Sequence, residues 1–375
     1  MSTFTLHEAA DFFEQWREFS EAALARLAPK CPPTPGHKTR PWDHPEGPVG
    51  LLVHYTGGPD GIASLRWSNE NGANKGSSWH CTVLDSRLVN LDELLEDYPM
   101  VEALLPVTAL LHADVNKGTW HGNWANSRCF GLENRNLGAL SQAATDGDGD
   151  PMYARVSPGR VTFPKSQKRV VEIRGQHWES FTKEQLVANI NIGKMLLAWR
   201  GEHFNRSWVL PHSMVWASKR DVGSAYPMYW VRDAIFSDEP VEEMEWLQKG
   251  YSASLVDGFI DIDDAVVIDE SPRDSGEARD PYVPMMPFDF DKIHGSTWRD
   301  FIPSIRENLE VLGAWAPPRE GAEAHTVDLE LQTAVSILQR SSHAPGGPNL
   351  KVDGVPGPAT RDFIDKRLRT FGHDV

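Results

Sequence analysis

The sequence predicts an α/β chain, helices flanking a sheet, with a small all-α module at its C-terminal end. Three observations carry that expectation. Residues 5–28 and 182–199 repeat apolar side chains at helical spacing; residues 49–55, VGLLVHY, form a short apolar run ending in a Thr-Gly-Gly turn; two further helical patterns follow a Pro- and Gly-rich stretch beyond residue 316.

Taken in order, Leu6, Ala9, Phe12, Phe13, Trp16, Phe19, Ala23, Leu24 and Leu27 make the apolar face of the first helix. Thr5 with Glu8 fits a capping box, and Pro29 closes the segment. Six prolines between Pro32 and Pro48, with His37, Trp42 and His44 among them, predict an extended loop. Residues 49–55 then read as a buried strand. In the second long helix Thr182 and Gln185 resemble a capping box, and Leu186, Ile190, Gly193 and Leu197 form one stripe.

After Asp233 the periodicity is lost, and the acidic stretch 261–280 reads as a solvated loop or lid. A helix over 300–312 places Phe301, Ile305, Leu309 and Leu312 on one face, with Gly313 as its stop. Residues 316–326, APPREGAEAHT, have the composition of an interdomain linker. Beyond it Leu329, Leu331, Val335 and Leu338 predict one helix, and a second begins near Pro358. The expected division is a lead-in (1–48), a main domain (49–315), the linker (316–326) and a terminal module (327–375).

Composition bounds the function. The chain has 375 residues, 40% hydrophobic and 24% charged, enough for two or three domains with a sizeable core. A formal charge of −16 disfavours nucleic acid and anionic membranes as partners. The longest membrane-like candidate, residues 100–111, carries Glu102 and is broken by Pro106. The N-terminal residues lack a basic region and an apolar run, so no secretory signal is expected. Cys31, Cys81 and Cys129 are odd in number and have no CxxC spacing, which predicts free buried thiols. Residues 145–151, TDGDGDP, read as a turn, because Pro151 stands where a calcium-binding EF-hand needs glycine.

A lone histidine ending an apolar strand, as His54 does, is usually a satisfied structural residue. His212 and Asp221, nine positions apart, change that reading: two imidazoles and a carboxylate with an open fourth position suit a catalytic Zn²⁺. A structural zinc would want four protein ligands, which the cysteine spacing does not supply. A hydrolytic site also needs a base and a cation for the developing oxyanion, and Glu133 and Lys219 are candidates by type.

The segments HYTGG, SSWHCTV, TWHGNWANSRCFGLENRN and PHSMVWASKRDVG follow one another over roughly 170 residues. In that order they resemble the type-2 N-acetylmuramoyl-L-alanine amidases, a zinc family that includes wall-recycling amidases, phage endolysins and peptidoglycan recognition proteins. The matched positions are His54 and Thr56, Ser78 and His80, Trp120, His121 and Gly122, Gly131 and Glu133, and His212 with Lys219 and Asp221. The resemblance covers about residues 49–230, which leaves 231–315 as an insertion or extension. It implies a central mixed sheet flanked by helices, zinc held by His54, His212 and Asp221, Glu133 handling the water, and Lys219 steadying the oxyanion. His80, Trp120 and His121 are assigned to the substrate side, with orienting a ligand or packing left open for the two histidines and packing for the tryptophan. One departure is local: Asp221-Val222-Gly223 stands where relatives have Asp-Pro-Gly, and the stretch from His212 is one residue short.

The last 49 or so residues resemble a three-helix peptidoglycan-binding module through the Leu-Gln helix and Asp353, Gly354, Gly357 and Thr360. The expectation is therefore a zinc amidase that cuts between N-acetylmuramic acid and L-alanine in peptidoglycan. It is expected to be made in the cytoplasm and to reach the wall after holin-type lysis or injection, as an endolysin does. The rival readings are a non-catalytic peptidoglycan receptor and a zinc peptidase acting on the stem peptide.

Overall fold

The computed structural model describes residues 4–29, 39–58, 60–69, 78–145, 151–155, 162–163, 170–173, 175–216, 219, 221–223, 225–248, 296–317, 319–343 and 347–371. The architecture is α/β, a mixed sheet flanked by helices, with a helical C-terminal region. Helix α1 (Leu6–Leu27) is capped as its sequence predicts: Thr5 accepts from the Glu8 amide and the Glu8 carboxylate accepts from the Thr5 amide. Strand β1 (Gly50–Tyr55), helix α2 (Gly61–Asn69), β2 (Cys81–Val83), short helices α3 (Asp92–Leu95) and α4 (Pro99–Leu104), β3 (Ala109–Leu111) and β4 (Cys129–Asn134) follow.

A second group of strands comes next, β5 (Ala139–Thr145), β6 (Pro151–Arg155), β7 (Thr162–Phe163), β8 (Val170–Ile173) and β9 (Gln176–Glu179). Helix α5 (Lys183–Arg200) carries the expected Thr182–Gln185 capping box. It leads to β10 (Val209–Pro211), the one-turn helix α6 (His212–Val215), α7 (Met228–Phe236) and α8 (Glu245–Gln248). After the undescribed residues come α9 (Ile302–Val311), α10 (Leu329–Ser341) and α11 (Pro358–Thr370). Among the described residues no helix is long and apolar enough to cross a membrane. The acidic stretch 261–280 and Cys31 lie outside the described residues.

The central sheet runs β10-β1-β4-β2-β3, parallel except for the antiparallel β2–β3 pair. Alternation along β1 divides the interior into two cores. Leu51 and Val53 face α1, α5 and α7, whereas Leu52 faces the other way, toward Leu210, Met214 and the helices beyond residue 300. Both outer strands have side chains bonded to their backbone. On β3 the Trp16 indole donates to Ala109 O and Ser20 Oγ accepts from Leu111 N; on β10 the buried Arg232 guanidinium donates twice to Val209 O.

The sheet β7-β6-β5-β9-β8, wholly antiparallel, has no counterpart in the sequence reading. Its short strands are too brief for alternation to register. Thr145 pairs with Pro151, and residues 146–150, where the turn was expected, lie outside the described residues.

The C-terminal helices pack against the sheet. Helices α9, α10 and α11 share one core with Val49, Leu52 and Trp208. Residues expected as a linker connect two of these helices. The buried Arg306 of α9 donates to Pro317 O, Thr326 O and Asp328 Oδ2, and Arg319 pairs with Asp328 and Glu330. Composition alone cannot separate a solvated linker from a short connection held by a buried arginine. The Asp353–Gly354 turn closes around Gln339: its carbonyl oxygen accepts from both turn amides, and its amide donates to Asp353 and Thr360. Gly354, at φ +70°, supplies the left-handed backbone there.

Candidate metal centre

Parallel register brings the separated motifs together. His54 sits beside Glu133, and Val53 beside Pro211, which sets His212 one step further on, next to His54. The three chain segments therefore meet at the C-terminal ends of β1, β4 and β10. On β4, Gly131 and Glu133 share a face. A Cβ at Gly131 would lie 2.8 Å from the His121 ring, so glycine leaves room for that imidazole.

His54, His212 and Asp221 each offer a ligand atom, all within 4.8 Å of one another. His54 Nδ1 lies 3.2 Å and His212 Nδ1 2.7 Å from the same oxygen, Asp221 Oδ2. Donors around a tetrahedral ion with bonds of about 2.0 Å are roughly 3.3 Å apart. Asp221 is brought in by its backbone, whose carbonyl accepts from Ser213 N at 2.6 Å. Gly223, at φ +80°, lets the chain pass Trp178 of β9, where a Cβ would lie 2.3 Å from the indole.

Proton accounting shows what this cluster lacks. Cys129 O can only accept, so His121 Nε2, 3.1 Å away, carries a proton and His121 Nδ1 is a lone pair. That lone pair accepts from His54 Nε2 at 2.9 Å, which leaves His54 Nδ1 as a lone pair facing a carboxylate oxygen. Burial, with His212 beside it, pushes His54 down to about 4, so the ring is neutral at pH 7. Two acceptors 3.2 Å apart repel unless a positive charge stands near both. His212 Nε2, moreover, is buried with no hydrogen-bond partner among the described residues. The donor set fits a zinc-type cation: two imidazoles and one carboxylate, the last held ionised. Burial would raise Asp221, but His212 beside it holds it well below the usual carboxylate range.

Glu133 is partly buried beside His54. Burial and the negative Asp221 push its carboxyl up to about 8, against the opposing pull of Lys219. Lys219 itself is exposed, its ammonium 5.6 Å from the Trp216 ring centre. It acts on the site through charge, lowering both Glu133 and His54.

The residues assigned to the substrate side separate. Trp120 is 38% exposed, with the Arg40 guanidinium 4.9 Å from its ring centre. His121 is buried and positions His54. His80 is fully buried; Nε2 donates to Lys117 O at 2.8 Å and Nδ1 accepts from Gly131 N at 2.8 Å, while the Trp42 and Phe130 rings stack on it. Of the roles left open for His80, that geometry is packing. Ser78 braces the same region, its hydroxyl accepting from Trp120 N. Cys81 and Cys129 are both buried, and the Cys129 thiol donates to Trp208 O.

Sequence reasoning missed Asn126, whose side-chain oxygen accepts from both His121 N and Gly122 N at 2.6 Å and so holds the His-Gly turn. It also missed Trp178 behind Gly223. Nothing in the local pattern marks either residue, because each acts on a segment distant in sequence or through its backbone.

No family model and no curated protein matches the chain. Among solved structures, the N-acetylmuramyl-L-alanine amidase AmiD from E. coli, in complex with anhydro-N-acetylmuramic acid-L-Ala-D-gamma-Glu-L-Lys, is similar at 16% identity and a TM-score of 0.35. The alignment covers 88% of this chain and 92% of that one. AmpDH3 from Pseudomonas aeruginosa, in complex with an anhydromuramic pentapeptide, is similar at 14% identity and a TM-score of 0.33, over 86% and 92%.

Proposed function

We propose that the chain is a zinc-dependent amidase that hydrolyses the bond between the lactyl carbonyl of N-acetylmuramic acid and the L-alanine nitrogen in peptidoglycan. One observation carries the hydrolytic reading: two histidines and an ionised aspartate converge where a neutral His54 presents a lone pair to a carboxylate, beside a raised glutamate. The choice of bond rests on the order and spacing of the motifs.

His54, His212 and Asp221 would hold the ion. When bound, it supplies Lewis acidity, which polarises an amide carbonyl and makes water acidic enough to deprotonate near neutrality. Glu133 is the group placed to take a proton from the attacking water and return it to the departing alanine nitrogen. The raised carboxyl favours holding that proton between the two transfers. Lys219 contributes positive charge at the open side, where negative charge grows on the carbonyl oxygen. Asn126 and His121 keep the His121-Gly122 turn and the His54 ring oriented.

Trp120 offers an exposed ring beside the Arg40 cation, a surface suited to a glycan face whose attached peptide carries carboxylates. The helical C-terminal unit is proposed to add wall binding, and the enzyme to act on the wall after release from the cell that makes it.

The test is mass spectrometry of muropeptides digested with zinc-loaded protein, with chelator and Glu133→Ala controls. Release of free stem peptide and of the disaccharide is expected, and both controls should abolish it. Intact disaccharide-peptides would overturn the reading, and cleavage inside the stem would replace it with a peptidase.

A further inference from the structure

The segment that carries His212 is held from the side opposite the proposed ligands. Helix α6 is a single turn, so the carbonyls at its end need partners from elsewhere. His212 O accepts from Trp216 N, and Ser213 O accepts from Arg367 Nη2 of α11 at 2.7 Å. Arg367 lies 154 positions away in sequence, yet it is 3% exposed and reaches under the sheet end. The other half of the same residue, Ser213 N, donates to Asp221 O at 2.6 Å. One residue thus connects three things: its chain neighbour His212, the backbone of Asp221, and a buried cation from the C-terminal helix.

Two further contacts tie the same strand to the same unit. Arg232 bonds Val209 O on one side and Gly313 O and Ala314 O on the other, spanning from β10 to the connection after α9. Gly313, at φ +86°, packs so closely on Pro211 that a Cβ would lie 2.6 Å from the proline ring. Burial lowers Arg367 only to about 10, so it stays a cation at neutral pH, and a charged donor makes the stronger bond.

We propose that Arg367 is a positioning residue of the metal centre: by clamping Ser213 it sets the spacing of His212 and Asp221, which makes the C-terminal helical unit a working part of the site. The proposal rests on reading His54, His212 and Asp221 as the ligands. It assigns α11 a task that a tethered wall-binding module would not have.

The experiment uses full-length protein with Arg367→Met, Arg367→Lys and Phe371→Leu. Phe371 is the buried residue that ends the same helix, its ring centre 5.4 Å from the Arg367 guanidinium. Zinc affinity is measured by competition with a chromophoric chelator, and hydrogen exchange of residues 209–216 is followed in metal-free protein. Arg367→Met is expected to weaken zinc binding about 10- to 100-fold, the range for groups that orient a ligand, and to speed exchange at Ser213. Arg367→Lys, which keeps a charged donor, is expected to recover part of both. Phe371→Leu should lower the thermal midpoint while leaving zinc affinity and Ser213 exchange unchanged. Wild-type affinity in Arg367→Met, or an equal loss in Phe371→Leu, would overturn the clamp. Wild-type protein that binds no zinc would overturn the ligand reading instead, and the exchange measurement would still decide the clamp. Should Arg367→Met fail to fold, the lysine variant carries the same comparison.

Discussion

His54, on β1, and His80, just before β2, are both buried and both in matched motifs, yet they are opposite cases. His80 has a protein donor and a protein acceptor for its two nitrogens and aromatic rings on both faces, so its environment is complete. His54 has one nitrogen satisfied by His121 and the other aimed at a carboxylate that offers it no proton. The difference shows that burial does not separate a packing histidine from a ligand; following each proton along its chain of bonds does.

Mutations can break that contrast. His54→Ala has the largest expected effect, loss of stoichiometric zinc binding together with activity, read by metal analysis after gel filtration. Zinc retained at full occupancy would remove His54 from the ligand set. His121→Phe keeps an aromatic ring but withdraws the acceptor that fixes the His54 tautomer. Zinc affinity is expected to fall about 10- to 100-fold with the fold intact, measured by chelator competition, and an unchanged affinity would show that the tautomer relay is idle.

His80→Phe should do the reverse. It strands Gly131 N and Lys117 O, costing about 1–3 kcal/mol in denaturant unfolding, while zinc stoichiometry stays that of the wild type. Zinc loss in a folded His80→Phe protein would erase the distinction between the two histidines. A further contrast concerns pH. Glu133 ionises near 4.5 when unfolded and at about 8 in the metal-free fold. The native state then binds more protons between those values, so the stability of metal-free protein should fall as pH rises from 4.5 to 8 and level off above. Glu133→Gln should flatten that slope in thermal unfolding; a slope unchanged in the variant would assign it to other groups.

Much of the site was legible because its chemistry is carried by rare residue types at sequence-fixed intervals. His212 and Asp221 are close neighbours along the chain, and His54 ends a strand that an apolar run announces. The first and fifth helices were legible for the same kind of reason, local capping boxes at Thr5 and Thr182 that the structure forms. What stayed hidden depends on contacts across long separations. The antiparallel sheet is made of short strands with little periodicity, and the hold of Arg306 on residues 317–328 joins segments that no local pattern links. Arg367 looks like any other charge on a C-terminal helix until the fold puts it under Ser213.

The side chains bonded along both outer strands of the central sheet bear on solubility. A strand end with free amides and carbonyls is a template for another chain, and parallel strands rich in Leu and Val would be a good one. Here Trp16 and Ser20 occupy positions on β3 and Arg232 occupies Val209 on β10, while Pro211 has no amide to give. Removing residues 296–375 would take away more than a domain. It would bare the apolar patch around Leu210, Met214 and Val215 beside a strand edge, and the shortened protein should be prone to aggregate as it folds.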